Sequence, residues 1–540
     1  MFTMVQLQQP VRPDQDTFTV LVSDHMSEDG LKPILESSLV SVIRESVDDT
    51  TFPLEQVDAL LIRSATTVTE ELLQKMPNLK IIGRAGVGVD NVDLPAATAH
   101  GVVVVNAPDG NTISTAEHTF AMLASLARNI PQANQSMREG KWDRKSYQGA
   151  ELYGKTLGIV GFGRIGSELA SRARAFKMNV VAFDPFLTQQ RADKHHVDAV
   201  SFEKVLEQSD FITVHTPLTK ETKGLLNKEN LLKTKKGVFI LNCARGGIID
   251  EEALYEVIVE GHVRGAAIDV FAEEPAKNHP LSSLQQVITT PHIAASTSEA
   301  QKNVAEQVSK EVLDYLSGNP APHALNLPYL DQDVYEKFSP FTKLTRTLGE
   351  TASQLFREPV KHIEITYAGE ISHQETGLFN RSLLAGFFRH RIDGYVNEVN
   401  ATLIAKERDV KLSERHDSES HGYANFVKVI IHGESRTLTI HGTHSQEFGS
   451  RITQINEFQL DFKPAKHTLF VQHNDRPGVI GKVGQLLGTH DVNIATMQVG
   501  RKQEGGDAIM LLSTDKECQD SVLTAFTSID EIASVKTIEL

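Results

Sequence analysis

The sequence predicts an α/β fold: two doubly wound units built on parallel sheets, then a mixed α+β region and a small ferredoxin-like module. Three patterns predict it. Gly161-Phe162-Gly163-Arg164-Ile165-Gly166 follows the apolar run Leu157-Gly158-Ile159-Val160 and opens a helical stretch, Ser167 to Ala175, which is the context of a dinucleotide loop. Residues 17–107 alternate short aliphatic runs with segments of helical spacing. Residues 467–540 run strand, helix, strand, strand, helix, strand.

In the first unit, Phe18–Val22, Ala59–Ile62, Lys80–Gly83 and Val102–Val105 read as strands, with helices at Glu70–Met76 and Leu94–Ala99. Such continuous apolar runs suit strands buried on both faces of a parallel sheet. Gly83-Arg84-Ala85-Gly86-Val87-Gly88 looks like a second nucleotide loop, but Asn91 stands where the third glycine belongs. It reads as a strand-end loop whose glycines, Gly86 among them, let a ligand approach the backbone, and which carries Arg84.

The second unit, residues 108–301, holds the dinucleotide loop. Gly161 permits a tight turn, Gly163 lets backbone approach a pyrophosphate, and Gly166 lets helix pack on strand. The helix N-terminus offers free N–H groups to phosphate. The next strand, Val180–Phe183, ends at Asp184, 18 residues past Gly166. Its carboxylate suits a ribose 2′-hydroxyl and repels a 2′-phosphate, which favours NAD over NADP. Further strands at Phe211–Val214, Val238–Leu241, Ala266–Ile268 and Val287–Thr289 end in polar or glycine loops: His215-Thr216-Pro217, Asn242–Gly247, Asp269 and Pro291-His292. Ligands bind at the carboxyl ends of such strands, so these loops should converge on one crevice.

Length and charge bound the reading. A chain of 540 residues should form three or four domains. With 54 Lys+Arg against 70 Asp+Glu, a net of −16, an electrostatic grip on nucleic acid or anionic membrane is not expected, and an anionic substrate would need a local arginine cluster. The two cysteines, Cys243 and Cys518, imply neither a disulfide framework nor a metal site. The first 16 residues are polar and Pro/Gln-rich, a flexible tail without a signal-peptide run, and no apolar stretch is long enough for a membrane helix. The expected location is the cytoplasm.

Three strand-end residues suggest chemistry. Hydride transfer between NAD and a 2-hydroxy acid needs a proton acceptor on the hydroxyl, and His292 offers an imidazole for that role. Glu274 could orient that ring and stabilise its imidazolium. Arg245 offers a planar fork for the substrate carboxylate. Cys243 reads as a small packing residue.

With these residues in place, the sequence resembles the D-isomer-specific 2-hydroxyacid dehydrogenases, most closely the long-form members that act on 3-phosphoglycerate. The resemblance rests on Arg84-Ala85-Gly86-Val87-Gly88-Val89-Asp90-Asn91-Val92-Asp93, the glycine loop, Asn242–Gly247, and Pro291-His292 followed by Ile293-Ala294-Ala295-Ser296-Thr297. It implies Arg245, Glu274 and His292 as the catalytic set. Nucleotide contacts fall on Arg164, Ile165, Asp184, Thr216, Pro217 and Asp269, with Cys243 and Ala244 beside them. The implied activity is NAD-dependent oxidation of 3-phosphoglycerate to 3-phosphohydroxypyruvate, which opens serine synthesis. Arg63 and Arg84 would hold the anionic substrate with Gly86 and Asn111, and Arg144 would reach it from a facing subunit of a homodimer or homotetramer. The implied substrate domain is discontinuous, 17–107 plus 302–327, completed by a helix at Glu299–Leu316 and joined to the nucleotide domain by another at Asn111–Arg128. Trp142 would lie near the subunit interface. Ala294-Ala295 stands where relatives often have Leu-Gly.

Residues 330–462 correspond in those relatives to an intervening regulatory or interface domain. The spacing His441-x-x-His444 falls in a strand-like run, which puts the two rings on opposite faces, and no metal is expected. Residues 467–540 resemble an ACT domain, in which positions matching His473, Asp475 and Asn493 would contact an L-serine effector at a domain–domain interface. An oligomerisation module without ligand stays open. Two other functions share the motifs: a hydroxypyruvate or glyoxylate reductase, and an NAD(H)-sensing corepressor.

Overall fold

The computed structural model describes residues 17–419 and 422–540. The expected N-terminal tail lies outside the described residues. Five strands, β1 (Phe18–Val22), β2 (Val40–Ile43), β3 (Ala59–Ile62), β4 (Ile81–Arg84) and β5 (Val103–Asn106), form a parallel sheet in the order β2-β1-β3-β4-β5. Every residue of β3 and β5 is buried, which is why these strands read as unbroken apolar runs. Strand β2 was not anticipated; as an edge strand it buries only Val40, so its pattern is weak. Two strands start one residue later than their apolar runs suggested, which makes Arg84 the last residue of β4. The Ser298–Leu316 helix returns from far along the chain, and its Val304, Ala305, Val308 and Val312 share one core with Val20, Leu61 and Val103. The first unit is therefore discontinuous in sequence.

The second sheet contains β6 (Thr156–Val160), β7 (Asn179–Phe183), β8 (Asp198–Ala199), β9 (Phe211–Val214), β10 (Val238–Asn242), β11 (Val263–Ile268) and β12 (Val287–Thr289). All are parallel, in the order β12-β11-β10-β9-β6-β7-β8. Strand order reverses between β6 and β9, and a doubly wound sheet opens its ligand crevice at that switch. The Thr112–Arg128 helix bridges the two units; its Met122, Leu123 and Leu126 pack with Leu157, Ile159 and Leu241.

The third module is the mixed sheet β13 (Val360–Gly369), β14 (Lys411–Asp417), β15 (Asn425–Gly433), β16 (Thr437–Ser445), β17 (Gly449–Ile455) and β18 (Phe458–Phe462), ordered β14-β13-β15-β16-β17-β18. Only β13 and β14 run parallel. Helices Gln332–Leu355 and Gly377–Arg389 contribute to its core, where Leu344, Phe379 and Phe387 meet Tyr367, Val427 and Ile431. His441 packs on Phe426 at 4.9 Å, whereas His444 turns to Phe341 of the first of these helices at 6.0 Å. The two rings thus lie on opposite faces of β16. The fourth module is the antiparallel sheet of β19 (His467–Asn474), β20 (Ile494–Arg501), β21 (Asp507–Thr514) and β22 (Ile532–Glu539), ordered β20-β21-β19-β22, with helices at Val479–Thr489 and Asp520–Ala525. Its Phe470, Ile509, Leu511 and Ile538 join the core of the third module, so the two are packed as one body. Among the described residues no helix is long and apolar enough to cross a membrane.

Candidate active site

The glycine loop leaves β6 at the switch point. Gly161 has φ 96°, a conformation that favours glycine, and its Cα lies against the His215 carbonyl and the Thr216 methyl. Gly163 caps the Arg164–Ala175 helix, and no atom lies within 4 Å of where its Cβ would be. That space, with the helix N–H groups behind it, is a cradle for a pyrophosphate. The Thr216 hydroxyl is buried there without a hydrogen-bond partner among the described residues, so the site suits a polar ligand. Ile165 is half-buried on the first helical turn, and Pro217 is exposed at the rim. Asp184 accepts hydrogen bonds from the Phe162 N–H and the Phe186 N–H, both at 2.8 Å, so it also ties the glycine loop to the end of β7. At Gly166 a Cβ would collide with the Gly161 carbonyl. Gly166→Ala is therefore expected to cost about 1–3 kcal/mol and to weaken dinucleotide binding, as urea melts with and without NADH would show.

The ends of β10, β11 and β12 bring the expected catalytic residues to one side of this crevice. Asn242 pins the β10 turn: its side-chain amide donates to the Arg245 carbonyl at 2.8 Å and accepts from the Ala244 N–H at 3.0 Å. Arg245 then reaches across to the first unit, where its Nε donates to Asp90 Oδ2 at 3.1 Å. His292 Nδ1 lies 2.8 Å from Glu274 Oε2, and the other oxygen of Glu274 accepts from the Phe271 N–H at 3.0 Å. With Nδ1 held, Nε2 is the nitrogen left for a substrate. The backbone of His292 is in the left-handed region, φ 53°, and its N–H donates to the Asp269 carbonyl at 2.8 Å. A cavity of about 510 Å³ opens beside His292 and Glu274, bordered by Phe271, Lys277, Thr290 and Pro291.

Asp269 is a hub under this site. Its side chain is fully buried and accepts from Thr290 Oγ1 (2.6 Å), Ile293 N–H (2.9 Å) and Ala294 N–H (3.0 Å), with His118 Nε2 at 3.4 Å. Burial alone would raise its pKa, yet hydrogen bonds from His118, Thr290 and Ile293 hold it below the ordinary value. His118 was not foreseen, because it lies mid-helix and nothing local in sequence links it to Asp269. The Cys243 side chain turns into the core beneath the sheet, where burial pushes its thiol up to about 12. Ala244 is half-buried at the crevice.

Arginines gather on the first unit's edge. Arg84 is largely buried and its guanidinium lies over Gly86, where any Cβ would strike it. Burial, with the neighbouring charges of Arg245 and Arg63, lowers its pKa to about 10. Its Nε has no hydrogen-bond partner among the described residues. Arg63 donates to the His25 carbonyl at 3.0 Å, and Asp24 holds its loop by accepting from the N–H groups of Arg63, Ala65 and Thr66. Asn111 sits at the N-terminus of the Thr112–Arg128 helix with its Oδ1 buried and unpartnered among the described residues. Arg144 is exposed in the loop after residue 138 and joins none of these groups. Arg164 meets Asp109 at 2.6 Å. The carboxylates Asp90 and Asp109, which receive Arg245 and Arg164, were not anticipated; Asp90 follows β4, and Asp109 lies between β5 and the Thr112–Arg128 helix.

In the fourth module the three expected effector residues do not meet within one chain. His473 and Asp475 stand at the end of β19, where Asp475 pairs with Arg501 at 3.1 Å and His473 Nε2 is buried without a partner among the described residues. Asn493 bonds Asp515 at 2.8 Å beyond the far end of β21, about 20 Å along the strand. Antiparallel pairing separates them, so a site using all three can form only between two modules.

The chain matches the family model described as D-isomer specific 2-hydroxyacid dehydrogenase, NAD binding domain, over residues 120–294. It also matches the D-3-phosphoglycerate dehydrogenase intervening domain over 337–456 and the ACT domain over 467–531. It is 55% identical to D-3-phosphoglycerate dehydrogenase of Bacillus subtilis (strain 168), covering 97% of this chain and 100% of that one. It is 40% identical to the protein of the same name from Methanocaldococcus jannaschii, covering 96% and 99%. A solved D-lactate dehydrogenase from Aquifex aeolicus, complexed with NAD and lactic acid, matches 57% of this chain and 100% of its own at 29% identity and a TM-score of 0.51. The chain belongs to the D-isomer-specific 2-hydroxyacid dehydrogenases, and its second unit is their NAD-binding domain. Within that family it belongs to the D-3-phosphoglycerate dehydrogenases, the line that carries an intervening and an ACT module.

Proposed function

We propose that this protein oxidises 3-phospho-D-glycerate to 3-phosphohydroxypyruvate with NAD in the cytoplasm, as the first step of L-serine biosynthesis. The observation that carries the substrate is Arg84, a largely buried guanidinium within reach of the charges of Arg63 and Arg245. A cluster of like charges is costly until an anion enters it, and a phosphorylated carboxylate supplies that anion. Arg245 would leave Asp90 to take the substrate carboxylate, while Arg63 and Arg84, with Asn111 and the Gly86 backbone, hold the rest of the anion. His292 Nε2 accepts the proton of the C2 hydroxyl as the C2 hydride departs, and Glu274 on Nδ1 stabilises the resulting imidazolium. NAD, when bound, supplies the acceptor for that hydride. Gly161, Gly163, Arg164, Ile165 and Gly166 would hold its pyrophosphate and Asp184 its ribose, with Thr216, Pro217, Ala244 and Asp269 lining the rest.

The active form is a homodimer or homotetramer in which Arg144 serves the neighbouring subunit's substrate. L-serine binds between ACT modules, with His473 and Asp475 from one and Asn493 from the other. NADH-dependent reduction of 3-phosphohydroxypyruvate against hydroxypyruvate, each with and without L-serine, tests the reading. Strong preference for the phosphorylated acid with inhibition by serine is expected. Equal rates on the two acids would leave a general 2-hydroxyacid reductase, and indifference to serine would reduce the ACT module to assembly.

Asp184 carries a separate prediction. Asp184→Asn keeps an acceptor for the glycine-loop amides but loses the charge, so NADP should gain on NAD by about tenfold in kcat/KM. Unchanged cofactor preference would remove the Asp184 charge from the nucleotide site.

A further inference from the structure

The third module carries a cluster of side chains that neither the reaction nor serine binding uses. His362 and Glu364 alternate on β13 with the core residues Ile363 and Ile365, so both project from its other face. Antiparallel pairing places His432 of β15 directly opposite His362, and the two imidazoles stack with centroids 5.1 Å apart at 15°. Glu364 Oε2 is 3.8 Å from His432 Nε2. One potential ligand atom from each of the three residues lies within 4.8 Å of the others. The surroundings are partly dry: the Glu364 side chain is 18% exposed, and His432 Nε2 is buried with no hydrogen-bond partner among the described residues.

We propose that His362, Glu364 and His432 bind a Zn²⁺ ion. Two imidazoles and one carboxylate are a donor set for zinc rather than for Mg²⁺ or Ca²⁺, which prefer all-oxygen shells. Outer partners are already in place. Ser413 Oγ lies 2.7 Å from His362 Nε2 and fixes that ring, and Arg415 Nε lies 3.4 Å from Glu364 Oε1, the oxygen that does not face His432. The neighbouring guanidinium tempers the carboxylate's charge but leaves Oε2 free to ligate. Zinc–ligand bonds of about 2.1 Å set the ligand atoms about 3.4 Å apart, a closure that side-chain rotation on two adjacent strands can supply. The ion would keep one position for water and would cross-link β13 to β15, with β14 attached through Ser413 and Arg415.

The test is calorimetric titration of EDTA-treated full-length protein with ZnCl₂, with Co²⁺ absorbance as a report of coordination. One Zn²⁺ per chain is expected, with tetrahedral Co²⁺ bands. Affinity should fall by more than about 100-fold in His362→Ala and in His432→Ala, beyond what losing an outer partner costs. His441→Ala, on the same sheet but outside the cluster, should bind as the parent does. If a histidine variant fails to fold by circular dichroism, Glu364→Gln removes a ligand with little change of shape and is expected to lose the Co²⁺ bands. Absence of zinc uptake by the parent protein, or uptake unchanged in the cluster variants, overturns the site.

Discussion

His292→Ala should lower kcat for NADH-dependent reduction of 3-phosphohydroxypyruvate by about a thousandfold and leave the NADH dissociation constant within about twofold. The separation follows from how the residue is held. Its ring contacts Glu274, whereas its place in the chain is set by its own N–H on the Asp269 carbonyl, and by the Ile293 and Ala294 N–H groups on the Asp269 carboxylate. Removing the imidazole leaves all the backbone bonds in place, so the nicotinamide side of the crevice keeps its shape. Glu274→Gln should sit between the two, losing about 10- to 100-fold, because an amide can orient the ring but cannot offset the imidazolium charge. Steady-state turnover beside NADH fluorescence titration checks both. Turnover of His292→Ala within tenfold of the parent would take proton transfer away from this residue.

Arg84→Leu carries the second large effect, and it has two parts of opposite sign. For catalysis, kcat/KM for 3-phosphohydroxypyruvate should fall by about 100- to 1000-fold, since a buried charge partner of the anion is lost, while hydroxypyruvate suffers far less. For stability, the ligand-free protein should gain about 1–3 kcal/mol, because burial and the charges of Arg245 and Arg63 oppose the ionised Arg84. Its folded pKa is lowered, so the native state releases that proton more easily than the unfolded chain does. The cost of the charged group is therefore present at neutral pH and relieved only as pH rises past about 10. Thermal melts at pH 7.5 with and without 3-phosphoglycerate would read both parts. A variant less stable than the parent, with intact selectivity, would make Arg84 a structural residue.

Much of this molecule is legible along the chain because its signals are local. The unbroken apolar runs at Ala59–Ile62 and Val238–Leu241 reflect burial on both sheet faces, and the spacing of Gly161, Gly163 and Gly166 reflects a turn and a close helix that glycine allows. Weak local patterns failed: β2 is an edge strand with one buried residue, and the exact start of β4 shifted by one.

The sequence by itself determined the order of elements, the dinucleotide loop and the strand-end positions of Arg245, Glu274 and His292, since each depends on neighbours within a few residues. Only the tertiary structure decided what those groups touch. Asp90 on Arg245, Asp109 on Arg164 and His118 under Asp269 join residues far apart along the chain. Asn493 stands away from His473 because β19 and β20 both run antiparallel to β21 and so parallel to each other, and His432 faces His362 because β15 pairs with β13 in one register. Contacts of this kind follow from strand order and register, which are settled by burial over the whole chain and leave little trace in the residues beside each partner.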